Sequence, residues 1–165
     1  MPNRPGRLRH FSYTGLHAYF LTICTHNRHR AFADSEFAAF AVEQLLQQAT
    51  VRGFAVIAYC LMPDHAHLVP QGINEDADLK GLVASWNTRT AYEWRQRYRS
   101  RLWQTGYYDH VLRDGDDYLS VARYVLMNPV RGQLVARPED YRWSGSTEYP
   151  IGQIIAAAQE WRPWW

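Results

Sequence analysis

The chain has 165 residues, of which 47% are apolar and 15% aromatic. That is enough for one domain around a single core, and it excludes general disorder. Eighteen basic residues against sixteen acidic leave a net charge of +2. Two cysteines, Cys24 and Cys60, exclude a disulfide scaffold and suit a reducing compartment. No apolar run approaches the ~20 residues that span a bilayer and no secretory leader is read at the start, so a cytoplasmic protein is expected.

Residues 1–16, rich in proline, glycine and arginine, read as an arm ordered by contact with a partner. The aromatic and β-branched run HAYFLTICT (17–25) predicts a strand. Asp34 or Ser35 then caps a helix that stops at Gly53. FAVIAYCL is a second strand, and Met62-Pro63-Asp64 turns it back into a third, HAHLV, closed by Pro70 and Gly72. A long polar helix is expected from about Asp78 to Tyr98, with Leu79, Leu82, Val83 and Trp86 on one face. The segment LWQTGYYDHVLR reads as extended. A last helix starts within Asp114 to Asp117 and ends at Asn128, because Pro129 disfavours helical geometry in the residue before it.

This order predicts an α+β fold: an antiparallel sheet with helices on one face, close to a ferredoxin-like arrangement. Residues 17–150 are expected to form the single domain, with 151–165 as a C-terminal tail, and the last thirty-five residues, which carry Trp143, Trp161, Trp164 and Trp165, read as turn-rich.

Chemistry concentrates at few positions. His65 and His67 are two apart on a predicted strand, so their side chains leave the same face with Cα atoms roughly 6 to 7 Å apart and can reach one metal ion. A pair of partly buried structural histidines is the plainer reading of an isolated His-x-His. Tyr124 and Asn128, four apart on the last helix, are neighbours on one face, yet a half-core tyrosine and a helix-ending asparagine explain that spacing equally well. His26 and His29 suit a surface loop, and His110 beside Asp109 is a weaker catalytic candidate. Seventeen of the eighteen basic residues are arginine, which favours bidentate phosphate contacts. They gather at Arg4, Arg7 and Arg9, at Arg28 and Arg30, and at Arg95, Arg97, Arg99 and Arg101. With Tyr92 and Tyr98 interleaved, they make nucleic acid an expected partner, while Trp86 and Trp94 are assigned to the core.

YCLMPDHAHLVPQG, WQTGYYDHVLRD and ARYVLMNPVRG together resemble the REP-associated tyrosine transposases, a branch of the single-tyrosine HUH transposases. The resemblance runs from the arginine-proline arm to DYRWSGSTEY. It departs at Pro70 and in RGQLV after Pro129, both beside the motifs. The resemblance implies an HUH endonuclease core in which His65, His67 and Asn128 bind Mg²⁺ or Mn²⁺ and Tyr124 attacks DNA. It further implies cleavage and joining of single-stranded DNA at a REP-type hairpin through a 5′-phosphotyrosine, by a monomer or homodimer associated with the bacterial nucleoid. Two other readings stay open at this point: a non-catalytic hairpin-binding module, and a metal-dependent nuclease that activates water.

Overall fold

A computed structural model describes residues 8–113, 116–160 and 162. Arg4, Arg7, Asp114, Trp161, Trp164 and Trp165 therefore lie outside the described residues. The elements are β1 (Ala18–Cys24), α1 (Ser35–Val51), β2 (Phe54–Met62), β3 (His65–Gly72), α2 (Leu79–Tyr98), β4 (Tyr108–Leu112), α3 (Tyr118–Leu126), α4 (Asn128–Arg131), β5 (Ser144–Gly145) and α5 (Ile151–Ala157).

Local chemistry accounts for the boundaries. The Asp34 carboxylate accepts hydrogen bonds from the backbone N–H of Glu36 and Phe37, capping α1. After Arg52, Gly53 takes φ +72°, a conformation that disfavours any residue with a Cβ. Asp78 caps α2 by accepting from Lys80 N–H. The last predicted helix is instead two helices: α3 ends at Leu126, and α4 starts at Asn128 with Pro129 in its first turn, where a missing N–H costs nothing. Pro129 thus ends one helix and starts the next.

The strands form one antiparallel sheet in the order β4-β1-β3-β2-β5. Its first four strands and two helices give the β-α-β-β-α-β ferredoxin-like order, and β5 extends the sheet beside β2. The third strand runs on past the expected close at Pro70 to Gly72. Proline in a central strand is tolerated here because the β2–β3 register shifts between Val56 and Ala58, so Pro70 sits at a bulge. Gly72 is required by close approach, since a Cβ there would lie 2.0 Å from the Gly15 carbonyl oxygen.

The expectation of helices on one face holds only for α1 and α2. Tyr19, Leu21, Ile23, Leu61, Ala66 and Leu68 face these two helices and pack with Phe37, Leu45, Leu82 and Trp86. Phe20, Ala58, Cys60, Val69 and Leu112 face the other way and are covered by Val121, Val125 and Leu126 of α3 and Ile154 of α5. The physical reason is in the strands themselves. AYFLTIC and FAVIAYCLM are apolar on both faces, and a sheet buried on both sides needs cover on both. Trp86 and Trp94 are buried as expected, and the Trp86 indole N–H donates to the Ala41 carbonyl at 2.9 Å, tying α2 to α1. The end of the N-terminal segment joins the folded body: Tyr13 is buried and Thr14 bridges Asp78. Among the described residues no helix is long and apolar enough to cross a membrane.

Candidate active site

The tight Pro63-Asp64 turn delivers His65 as the first residue of β3, and strand alternation puts His67 on the same face. That face is the one α3 covers, since Val69, the next residue in the series, packs with α3. In the sheet, His65 lies opposite Cys24 and His67 opposite Thr22. The two Nε2 atoms stand 3.2 Å apart.

The outer ring nitrogens are already engaged. His65 Nδ1 lies 2.7 Å from Asp64 Oδ1, and His67 Nδ1 lies 2.9 Å from Thr22 Oγ1. In the tautomer that donates Nδ1–H to these oxygens, each Nε2 would present a lone pair, and the two would converge on one point. Burial drives the His67 ring well below the ordinary histidine pKa, helped by the charges of His65 and Arg131. Burial also lowers His65, against the opposing pull of Asp64. Both rings are thus held in the neutral form that a metal ligand requires. Asp64 is itself partly buried, which pushes its carboxyl up, but hydrogen bonds from His65 and Arg28 outweigh this and hold it below the usual carboxylate value.

Arg28 completes this support. Its Nε donates to Asp64 Oδ2 at 2.8 Å, and its Nη1 lies 3.0 Å from Cys24 Sγ. The turn that carries it is unusual, because Asn27 and Arg28 both adopt left-handed backbone (φ 52° and 55°). Such residues cost on the order of 1–3 kcal/mol each and persist where the surroundings over-determine them. Here Thr25 Oγ1 ties the turn to the carbonyls of His29 and Asp64.

Tyr124 comes from α3, the helix on this face. Its ring centroid is 6.3 Å from that of His67, with the planes at 66°, and 6.0 Å from Phe20 in an edge contact. Phe20 also stacks on His67 at 5.5 Å, so one buried phenylalanine sets the spacing of both groups. The Arg131 guanidinium lies 4.2 Å over the Tyr124 ring and donates to the Tyr124 carbonyl at 2.6 Å. Asn128 turns its amide nitrogen back onto the carbonyls of Tyr124 and Val125, at 3.2 and 3.3 Å. That commits the nitrogen to the helix and leaves the oxygen as the end available to a ligand. No hydrogen bond joins Asn128 to the histidines among the described residues.

Of the residues expected from the sequence, the structure therefore brings His65, His67 and Tyr124 together and places Asn128 one turn beyond Tyr124. Among the described residues no group of three or more His, Cys, Asp or Glu surrounds a common point. A metal here would take two imidazoles and an amide oxygen, with further positions open to oxygen ligands. The residues present fit such an ion: two Nε2 atoms 3.2 Å apart, on rings engaged at Nδ1, are placed to share a cation. His110 lies opposite Phe20, and His26 and His29 sit on the exposed turn after β1. Arg97 is committed to Glu93 at 2.7 Å and Glu36 at 3.5 Å. Arg9, Arg95, Arg99 and Arg101 are exposed. Sequence reasoning missed Thr22, Phe20 and Arg131, and it placed Arg28 among the basic clusters rather than in support of Asp64 and His65. Only the strand pairing and the α3–α4 turn bring these to the site, and no local spacing announces that.

Comparison with known proteins gives concordant results. The family model described as Transposase IS200 like matches residues 13–128. A REP-associated tyrosine transposase of Escherichia coli K12 is 23% identical over 134 residues, covering 76% of this chain and 74% of its own. A Haemophilus influenzae protein carrying that name provisionally is 28% identical over 149 residues, covering 82% of each. Among solved structures, a REP-associated tyrosine transposase bound to a REP hairpin superposes with a TM-score of 0.67 at 19% identity, covering 84% of this chain and 81% of that one.

Proposed function

The chain belongs to the IS200-like transposase family, and from that premise we propose that it cuts and rejoins single-stranded DNA beside a hairpin, with Tyr124 as the nucleophile. One observation carries this reading: the Tyr124 ring packs 6.3 Å from His67 on the face to which both paired histidines point.

The residues divide the work as follows. His65, His67 and the Asn128 oxygen would hold a divalent ion, Mg²⁺ or Mn²⁺, which would supply Lewis-acid polarisation of the scissile phosphate. Asp64 and Thr22 fix the imidazole tautomers through Nδ1, so that both Nε2 atoms are ligands without rearrangement. Tyr124 Oη attacks phosphorus. A tyrosine O–P bond forms, the P–O3′ bond breaks, and the proton lost by the phenol is balanced by the one gained at the departing 3′ oxygen. The 5′-phosphotyrosine keeps the energy of the broken ester, so attack by another 3′-hydroxyl reseals a strand without ATP. Arg131, lying over the Tyr124 ring, orients the phenol and puts positive charge where the phosphate must enter.

Arg4, Arg7, Arg9, Arg95, Arg97, Arg99 and Arg101 are the proposed DNA contacts. The hairpin preference follows the relative solved with a REP hairpin, and the bacterial cytoplasm is the proposed place of action. The test is a labelled single strand bearing a hairpin, incubated with Mn²⁺. A covalent protein–DNA band that disappears in Tyr124→Phe supports the reading. Cut product without adduct would mean a water-activating nuclease, and binding without cleavage would mean a hairpin-binding module. Either outcome overturns the proposal.

A further inference from the structure

The motif Trp103-Gln104 has no part in the site described above, and the structure separates the roles of its two residues. Trp103 is buried, donates its indole N–H to Thr90 Oγ1 at 2.9 Å, and forms a bridge with Thr25. Gln104 does something else. Its backbone N–H donates to the Cys24 carbonyl at 2.9 Å, while its side-chain amide makes no hydrogen bond among the described residues. It lines a cleft of about 530 Å³ between α2 and the 101–104 segment, with Asn87, Thr88, Ala91, Arg95, Arg101 and Trp103.

The chemistry of this cleft is specific. Two arginines line it, and no carboxylate does. Arg95 has no ion-pair partner among the described residues. Arg101 is held in place by bonds from Nε to the Trp103 carbonyl and from Nη2 to Thr105 Oγ1. Asn87 Oδ1 is itself buried, which leaves Gln104 as the amide that faces this space. Cations for a phosphate, an amide for a base edge and an apolar wall from Ala91 and Trp103 are the parts of a nucleotide site. Position adds to this. Gln104 hangs from Cys24, and Cys24 is the strand partner of His65. The cleft therefore opens at the end of the sheet that carries the histidines, on the α2 side.

We infer that this cleft binds one unpaired nucleotide of the DNA single strand that runs from the active site around the end of β1, with Arg95 and Arg101 on its phosphate and Gln104 on its base. This rests on the single-stranded DNA reading above and adds a second point of attachment for the same strand.

The test measures binding alone. Tyr124→Phe protein without metal is titrated by fluorescence anisotropy with a hairpin carrying a single-stranded extension and with the same hairpin blunt-ended. Arg95→Ala and Gln104→Ala are then added singly. Neither side chain bonds to the rest of the described chain, so unchanged thermal melting is expected of both. Each should weaken binding of the extended hairpin by about fivefold or more and leave the blunt hairpin within about twofold. Arg95→Ala should also reduce the slope of log K against log salt by about 0.7. Photo-cross-linking from 5-iodouracil in the extension to the 101–104 peptide is the positive counterpart. If the variants bind the extended hairpin as the parent does, or lose both DNAs equally, the cleft assignment is overturned while the transposase reading stands. If the parent binds neither DNA, both fall.

Discussion

The two faces of the sheet are built differently. Toward α1 and α2, β1 and β3 present Tyr19, Leu21, Ile23, Ala66 and Leu68 to Phe37, Leu45, Leu82 and Trp86, all buried. Toward α3, the same two strands present Phe20, Thr22, His65 and His67, and the helix answers with Tyr124 between Val121 and Val125. One face supplies apolar burial, the dominant stabilising contribution. The other uses that rigidity to hold polar rings a few ångströms apart. The histidines are tolerated there because each has a partner, Asp64 and Thr22 directly and Arg28 through Asp64, while the Arg131 guanidinium lies over the Tyr124 ring.

Substitutions on the two faces should separate activity from stability. The largest effect belongs to the α3 face, where Tyr124→Phe should lower adduct formation by at least roughly 10⁴-fold, since a removed nucleophile has no substitute. Thermal melting of that variant should stay within a few degrees of the parent, and a large drop would show the hydroxyl to be structural. On the opposite face, Trp86→Ala should destabilise by about 3–5 kcal/mol, from a large cavity and the lost bond to the Ala41 carbonyl. Urea denaturation measures it, and a cost under about 1 kcal/mol would contradict the packing described.

Asp64→Asn sharpens the comparison from the side of the metal. It weakens the support of His65 Nδ1 without touching either core, so Mn²⁺ affinity by calorimetric titration should fall about 10- to 100-fold with melting nearly unchanged. The smallest effect is at the cap of α1, where Asp34→Ala should cost about 1 kcal/mol at neutral pH. A hydrogen bond from Tyr98 holds the Asp34 carboxyl below its ordinary value of 3.8, despite partial burial, and the backbone N–H groups of Phe37 and Glu36 add to this. The unfolded chain therefore takes up the proton first. The advantage over alanine is fully present above about pH 4 and shrinks as pH falls through the lowered folded value. Denaturation at pH 7 and pH 3 checks it, and a constant difference would remove the carboxylate from the account.

Much of the fold was legible because its signals are local. The Pro63-Asp64 turn, the Asp34 cap, the start of α2 near Asp78 and the Gly53 stop each act within a few residues, and the β-α-β-β-α-β order follows from them. The continuation of β3 through Pro70 was not, because a bulge in β2 is what admits the proline. Nor was the second helical face, although the unbroken apolar runs of β1 and β2 carried the hint that both sides are covered. At the site, His65 and His67 shared a face by strand alternation alone, which acts over two residues. The approach of Tyr124 needed α3 to pack on that face, and Thr22 and Arg28 needed β1 to lie beside β3.

By itself, then, the order of residues determined which segments become helix or strand, where they turn, and that two imidazoles leave one strand together, since φ/ψ preference, capping and alternation operate between near neighbours. Tertiary structure alone decided that a phenol from residue 124 meets a histidine from residue 67, and that a threonine and an arginine from residues 22 and 28 hold the pair in register. Those meetings depend on which strands pair and which face a helix covers, and the burial of apolar surface across the whole domain selects them.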